Sequence, residues 1–199
     1  MASSLDHNAF ESKLGQLLWK ALKNSDENEL FECLINENKV LRTAAACEIQ
    51  IRASLGSFER VLILADSFRF ESREIAAFIL GQIGSPTEKY YGRSIESLTK
   101  LLNDSYYEVR ATSVGSFGFL ASNRPDQHPL ICSKIISLLV DSEPTVRESL
   151  AFSLAYIYTE TAFNGLITLS KDLDTNVRKA AVSGLEEHEE RRKELDGLE

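Results

Sequence analysis

One short pattern recurs five times in this sequence and restricts the chain to a repeat architecture. In its clearest copy, Asp141 precedes Arg147 by six residues, and Val146, Leu150 and Leu154 follow at helical spacing. Each copy places an arginine near the start of a segment rich in small residues, and these arginines are Arg42, Arg73, Arg110, Arg147 and Arg178. The intervals between them are 31, 37, 37 and 31 residues. This period predicts stacked helical units, each of which buries its apolar face against its neighbours.

Apolar residues at helical spacing predict helices on both sides of each turn, and no segment has the pattern of a strand. An N-terminal helix at 8–23 is predicted to cap the first repeat, and the acidic end at 188–199 to be a frayed cap. The repeats at 26–187 are predicted to form five helix pairs, 26–35 with 40–53, 57–65 with 71–83, 93–102 with 107–121, 131–140 with 145–158, and 161–170 with 176–187. Ser57 is the predicted N-cap of the first helix in the second pair. We therefore expect an all-α fold, a short α-solenoid forming one domain at 1–199.

The charge balance of the chain indicates which kind of molecule it can bind. The chain has 30 acidic and 22 basic residues, a net charge of −8. Nucleic-acid binding draws much of its affinity from cationic side chains on phosphates, so this balance argues against direct nucleic-acid binding and favours a basic protein partner. No run of 18 apolar residues is present and the N-terminus lacks the features of a secretion signal. We therefore expect no membrane span and a cytoplasmic location.

No constellation of residues indicates catalysis or a bound metal. The cysteines lack the spacing of a disulfide framework or a zinc site, and they are Cys33, Cys47 and Cys132. The histidines are equally scattered, at His7, His128 and His188. Neither a Gly-rich phosphate loop nor a nucleophile–base arrangement can be recognised. The sequence therefore predicts a protein that is not an enzyme and that uses no metal or cofactor.

The register of an Asp, then Val-Arg, then Ala and Leu resembles that of HEAT-like repeats. In that family the aspartate and arginine form a structural ladder between neighbouring repeats, and the second helix of each pair lines the concave side. The resemblance implies ladder roles for Asp104, Arg110, Asp141, Arg147, Asp172 and Arg178. Asn36 and Ser67 stand where the first two copies should have the aspartate, so the ladder is not expected there.

Two segments also resemble a narrower bacterial family of HEAT-like proteins, encoded beside Rhs and contact-dependent inhibition toxins. They are 29–38 followed by Leu41 and Arg42, and 73–83 with the sequence REIAAFILGQI. Members of that family are regarded as immunity proteins, which bind and block the toxin domain of a sibling cell. The resemblance implies a non-catalytic protein that occludes a basic toxin domain, such as a nuclease, as a monomer in a one-to-one complex.

If the second helices line the concave side, their outer stripe is the expected partner-binding surface. By periodicity the stripe combines carboxylates with aromatic residues, and aromatic residues are favoured interface anchors. The predicted binding residues are Glu74, Phe78, Gln82, Phe119, Glu148, Phe152 and Tyr156, together with Tyr106 and Tyr107 in a neighbouring turn. The alternative is that Phe78, Phe119 and Phe152 pack between adjacent repeats.

Two other classes of function are compatible with the repeat. One is a general scaffold for protein–protein interaction, with which every feature above agrees. The other is an enzyme, since HEAT-like repeats also occur in bilin lyases and in an alkylpurine DNA glycosylase family. The glycosylase needs a basic concave face, whereas the predicted stripe is acidic and aromatic. A lyase needs a defined pocket, and no side-chain constellation marks one.

Overall fold

The computed structural model describes residues 12–84 and 88–196, and these residues form eleven α-helices and no strand. This confirms the predicted all-α class. The chain divides into two compact units, 1–101 and 102–199. The prediction of one domain spanning both units stays a prediction.

The first unit contains six helices, with α3 and α5 at its centre. They are α1 (Lys13–Leu22), α2 (Glu27–Cys33), α3 (Lys39–Arg52), α4 (Leu55–Ala65), α5 (Phe70–Gly84) and α6 (Glu88–Leu101). Helices α1, α2 and α5 contact α3, while α4 and α6 contact α5. Large side chains with no exposed surface fill the space between them, among them Leu30, Ile49, Phe58, Ile79 and Leu98.

Side-chain caps explain where several of these helices begin. Asp26 and Glu29 form a capping box at α2, and Asn38 accepts hydrogen bonds at the start of α3. The N-cap of α4 is Ser54, not the predicted Ser57. Of the two serines, the first accepts the N3 amide, and the second is buried at N3, where it donates to Glu27. Hydrogen bonds from both serines lower the pKa of the Glu27 carboxyl.

The end of α1 is fastened by a polar cluster on α3. Arg52 donates to the carbonyl oxygens of Leu22 and Lys23, both at 3.0 Å, and to that of Ser25. Glu48 accepts from Arg52 at 3.0 Å and from the indole of Trp19 at 3.1 Å.

The edges of the first unit differ from the simple repeat pattern. Leu14 and Leu17, in the predicted N-terminal capping helix, are 53% and 56% exposed. Residues 8–11 of that predicted helix lie outside the described part of the chain. Helix α6 begins at Glu88, before the predicted start of this helix at residue 93.

The second unit is built around α9. Its helices are α7 (Tyr107–Asn123), α8 (His128–Ile135), α9 (Pro144–Ala155), α10 (Glu160–Leu169) and α11 (Thr175–Asp196), with 3₁₀ turns at Pro125–Gln127 and Ile136–Val140. Helices α7, α10 and α11 all contact α9. The segment predicted as one helix at 131–140 ends in a 3₁₀ turn, and α11 extends through much of the end that was predicted to be frayed. The fully buried side chains of the second unit include Val109, Phe117, Ile131, Leu150 and Leu166.

The buried His128 joins the last turn of α7 to the loop that follows α9. Its Nε2 lies 3.1 Å from the carbonyl oxygen of Ala121, and its Nδ1 lies 3.1 Å from the amide nitrogen of Tyr158. Since the amide can only donate, Nδ1 accepts, and the proton of the ring sits on Nε2. The imidazole is therefore fixed as a structural bridge.

A common turn explains the six-residue spacing of the sequence pattern. In all five copies the side chain of the first residue accepts a hydrogen bond from the amide two residues later, at 2.8–3.2 Å. The carbonyl oxygen of the same residue accepts from the arginine six residues later, at 2.5–2.9 Å. Asparagine and serine can accept as aspartate does, so Asn36 and Ser67 preserve the turn.

In the second unit the aspartates have an additional role as bridges between successive helix pairs. Arg110 donates to both carboxylate oxygens of Asp141 at 2.7 and 2.8 Å. Arg147 binds Asp172 in the same bidentate way at 2.7 and 2.9 Å. These two ion pairs are the arginine–aspartate ladder, and each joins the arginine of one pair to the aspartate of the next. Bidentate geometry and partial burial make such pairs stronger than exposed ones.

Candidate functional site

The main candidate site is a groove between α7 and α9, within the second unit. Its volume is about 340 Å³ and it is lined by Gly115, Gly118, Phe119, Ser122, Phe152, Ser153 and Tyr156. Three of these are predicted binding residues, Phe119, Phe152 and Tyr156, which are 38%, 54% and 50% exposed. The structure thus brings together aromatic side chains from two helices and leaves them accessible, instead of packing them between the repeats.

The floor of the groove is tightly packed because two small residues meet there. A Cβ atom on Gly118 would lie 2.6–2.9 Å from atoms of Ser153, closer than real contacts allow. The Ser153 hydroxyl lies 2.9 Å from the carbonyl oxygens of Val114 and Ser149, so its polar group is satisfied inside the contact. This close approach fixes the spacing of the aromatic walls.

Gly115 creates the open space of the groove. A Cβ atom placed there would have no described atom within 4 Å, and the residue is exposed inside α7. By the register of the repeat, Gly115 stands where α5 carries Phe78 and α9 carries Phe152. A glycine inside a helix costs about 1 kcal/mol relative to alanine, and no contact within the described chain requires it at this position.

Glu148 lies one helical turn before Phe152 on the same helix and is half-buried. Burial raises the pKa of its carboxyl, and the charge of Asp174 raises it further. Among the described residues no hydrogen bond or ion pair reaches the Glu148 side chain. Glu148, Phe152 and Tyr156 therefore form a continuous stripe, with an uncompensated carboxylate at one end.

The other predicted binding residues are distributed differently. Tyr106 is the N-cap residue of α7 and is 38% exposed, while Tyr107 is half-buried in the first turn. In the first unit, Phe78 and Gln82 are half-buried on α5, and the Phe78 carbonyl oxygen accepts from Gln50 at 3.3 Å.

Glu74 is completely buried, so its expected place on an accessible stripe is wrong. Its neighbours Ser72, Ile75 and Ala77 on α5 are buried as well, and the negative charge of Glu74 acts on Arg42 of α3, which is only 9% exposed. Burial lowers the pKa of the Arg42 guanidinium, and the negative charge of Glu74 acts in the opposite direction. The two charges compensate each other inside the unit.

A second pocket was missed by the sequence reasoning. It has a volume of about 370 Å³, and its lining includes Tyr158, Phe163, His188, Arg191 and Arg192. The ring of His188 lies 5.1 Å from that of Tyr158 and 6.0 Å from that of Phe163. Several of its lining residues lie after residue 187, where the sequence predicted a frayed end and the structure has the continuation of α11. A prediction of helix in this segment would have been needed to expect the pocket.

Two further properties concern chemistry and membranes. Within 12–84 and 88–196 no cluster of histidine, cysteine, aspartate or glutamate has the arrangement of a metal site. In the same ranges no helix combines the length and apolar character that a membrane span requires.

Comparison with known proteins matches residues 72–104 to the PBS lyase HEAT-like repeat. Protein YibA of Escherichia coli (strain K12) is 28% identical over 165 residues, which cover 82% of this chain and 59% of YibA. The X-ray structure of YibA has a TM-score of 0.80 at 27% identity, covering 88% of this chain and 63% of that chain. The chain thus spans about three fifths of the length of the curated relatives it matches.

More distant structural neighbours share the fold alone. A designed armadillo repeat protein has a TM-score of 0.51 at 18% identity, covering 91% of this chain and 97% of that one. A structure of Kap95p binding to RanGDP has a TM-score of 0.60 at 20% identity, covering 92% of this chain and 25% of that one. The architecture is a HEAT-like repeat scaffold of the α-solenoid class.

Proposed function

We propose that this protein is a non-catalytic immunity protein, which binds a toxin domain through the groove between α7 and α9 and occludes that domain's active site. The single observation that carries the binding role is the exposure of Phe119, Phe152 and Tyr156 around a preformed groove. Aromatic residues clustered on rigid helices are the anchors that most often dominate protein–protein interfaces.

The toxin as partner is supported by the resemblance of residues 29–38, 41–42 and 73–83 to immunity proteins encoded beside Rhs and contact-dependent inhibition toxins. A protein partner in general agrees with the fold, since Kap95p, a structural neighbour, binds RanGDP. The net charge of −8 favours a basic toxin domain such as a nuclease, because opposite fields accelerate association. On this proposal the chain acts in the cytoplasm as a monomer in a one-to-one complex.

The proposal is tested with the toxin domain encoded immediately upstream of this gene. That domain is expressed in cells with and without the protein, and growth is followed. Light scattering then determines the mass of the purified complex. Growth rescue together with a one-to-one complex is the expected result. If neither rescue nor a complex is observed, the immunity role is wrong and the general scaffold function becomes the better description.

The groove is tested by combining Phe152→Ala with Glu148→Lys, which removes an aromatic anchor and reverses a charge. We expect the Kd for the toxin domain to rise about thirtyfold, the effect of losing one interface hot spot, with unchanged helicity. The matched control combines Ile35→Ala with Glu32→Lys, which changes an exposed apolar residue and an exposed carboxylate of the first unit. Equal affinities for both double variants would exclude the groove as the binding surface.

A further inference from the structure

We propose that the groove between α7 and α9 receives an arginine side chain of the protein partner, whose guanidinium stacks on the aromatic walls and binds the Glu148 carboxylate. This inference rests on the proposed function, because it names the chemistry that the same groove recognises. Three properties of the groove support it, namely its shape, its uncompensated charge and the geometry of its walls.

The shape indicates that a single long side chain enters. Gly115 stands where α5 and α9 each carry a phenylalanine. The resulting space is open above Gly115 and closed below by the contact of Gly118 with Ser153. Phe119 of α7 lines it from one side, and Phe152 and Tyr156 line it from the other. The groove therefore has aromatic residues on both sides of an open space.

The charge indicates that the entering side chain is a cation. In the first unit Arg42 faces Glu74, one helix pair further along the chain. The corresponding residues of the second unit are Arg110 and Glu148, but Nε and Nη2 of Arg110 donate to Asp141 at 2.7 and 2.8 Å, and Nη1 donates to the carbonyl oxygen of Asp104 at 2.9 Å. The ladder thus engages the arginine that would otherwise be available to Glu148.

A second carboxylate acts on Glu148. Asp174 contributes a like charge, and its own carboxylate accepts from the amides of Asn176 and Val177 at 2.8 and 3.2 Å. The neighbouring Arg147 is engaged by both carboxylate oxygens of Asp172. Neither Glu148 nor Asp174 has an ion pair among the described residues. A cation supplied by the partner would therefore find an uncompensated negative site next to aromatic faces.

The geometry favours arginine over lysine. A guanidinium is planar, so it can stack on an aromatic ring, and its fork of N–H donors matches a carboxylate. An ammonium is a compact point charge that has no plane to stack and no such fork. Glu148 precedes Phe152 by one turn, so a guanidinium lying over the Phe152 ring can direct its donors toward the carboxylate. The walls and the acid thus recognise two different parts of the same group.

The test is an NMR titration of the isotopically labelled full chain with N-acetyl-arginine methylamide. The probes for comparison are the lysine, citrulline and norleucine equivalents. We expect amide shifts at Gly115, Phe119, Phe152 and Tyr156 with the arginine probe, and at least threefold weaker binding of the other three. Glu148→Gln should weaken arginine binding about threefold, the effect of losing one exposed ion pair. Glu160→Gln, in an exposed residue of α10, is the matched control.

A second variant tests the shape separately. Gly115→Phe introduces the residue type found at this register in α5 and α9, and the open space accommodates it. We expect this variant to fold with unchanged helicity and to lose the arginine-induced shifts.

Four results would overturn the inference. They are equal binding of the citrulline and arginine probes, shifts located outside the groove, undiminished binding by Gly115→Phe, and preferred binding of the norleucine probe. The last result would identify an aliphatic anchor instead. Arginine binding without a toxin complex would leave this inference standing and refute only the immunity role, so the two failures are distinguishable.

Discussion

Helices α5 and α9 carry the same stripe at the same register, yet only the stripe of α9 is accessible. Glu74, Phe78 and Gln82 correspond to Glu148, Phe152 and Tyr156. The glutamate of α5 has no exposed surface and its two companions are half-buried. In α9 the glutamate is half-buried and the aromatic residues are at least 50% exposed. Identical position in a repeat therefore does not determine whether a side chain is available to a partner.

One residue in the preceding turn distinguishes the two helices. Ser67 offers no carboxylate to the arginine of the preceding helix pair, and the negative charge of Glu74 acts on that buried arginine, Arg42. Asp141 binds the equivalent arginine, Arg110, through both carboxylate oxygens, and Glu148 has no ion pair among the described residues. The comparison therefore predicts that a structural ion pair influences the exposure of a potential binding residue one helix away.

The largest expected effect comes from removing the two corresponding glutamates. Glu74→Ala leaves Arg42 buried without its main negative neighbour and should cost about 3 kcal/mol in the free energy of unfolding. Glu148→Ala removes an unpaired, half-buried carboxylate and should change it by less than about 0.5 kcal/mol. Urea unfolding is followed by fluorescence of the lone tryptophan, Trp19, for the first unit and by circular dichroism for the whole chain. Equal costs would refute the comparison.

Two glycines of α7 sharpen the comparison at the groove. Gly118→Ala introduces a methyl group within 2.9 Å of Ser153 and should destabilise the protein by about 2 kcal/mol through overpacking. Gly115→Ala meets open space and should stabilise it by roughly 0.5–1 kcal/mol through helix propensity. Thermal unfolding measures both. A destabilising Gly115→Ala would mean that the groove is closed by contacts in solution.

Acidification should weaken the ladder in a defined pH window. Burial alone raises the pKa of Asp141, but hydrogen bonds from Arg110 and from the Glu143 amide outweigh it and lower the pKa. The hydrogen bond from Arg147 lowers the pKa of Asp172. Carboxyls with lowered pKa values contribute their full stability above the ordinary value of about 4, and they lose it as the pH falls through the folded-state pKa.

The expected loss from protonating each ladder carboxylate is about 1.5 kcal/mol, the usual contribution of a charged hydrogen bond. The measurement is urea unfolding between pH 5 and about pH 2. A chain with Asp141→Asn and Asp172→Asn should be less stable at neutral pH and should show a smaller slope in the acidic window. An unchanged slope would show that other carboxylates cause the acid sensitivity.

The smallest effect comes from giving the first unit a ladder carboxylate. Ser67→Asp preserves the hydrogen bond that Ser67 now accepts from the Arg69 amide, and it offers Arg42 a new partner. Alone, it should stabilise the protein by about 0.5 kcal/mol. Combined with Glu74→Ala, it should recover part of the loss, and a double-mutant cycle measures this coupling. Strict additivity would show that the turn carboxylate does not compete with Glu74.

Much of the fold could be predicted because the helical repeat is a local property of the sequence. The Asp-to-Arg spacing of six residues reflects a turn closed by its own side chain and carbonyl, so it is visible without tertiary contacts. Helix ends were less predictable. Two serines three residues apart, Ser54 and Ser57, can each serve as an N-cap, and only the structure shows that Ser54 accepts the amide of Ser57 while Ser57 itself is buried.

The candidate site was predictable only in part, because exposure depends on contacts between helices. Periodicity placed Phe119, Phe152 and Tyr156 on one surface, and the structure shows them around a common groove. It could not show that Glu74 is enclosed with Arg42, since that contact spans 32 positions of the chain. Nor could it show that Gly115 leaves space, since a glycine inside a helix equally indicates close packing, as Gly118 demonstrates.

The turn at Asp141 has a consequence for exchanging repeats between proteins of this type. Asp141 closes its own turn, because its carboxylate accepts a hydrogen bond from the Glu143 amide and its carbonyl oxygen accepts one from Arg147. The same carboxylate also binds Arg110 of the preceding helix pair. A chimaera whose two parts are joined between Arg110 and Asp141 therefore needs an aspartate at the start of the incoming turn to restore this ion pair. Segments that begin with serine or asparagine would fold their own turn, but they would leave the preceding arginine to find a different carboxylate. Compatibility between donor and acceptor segments can thus be judged from one residue of each.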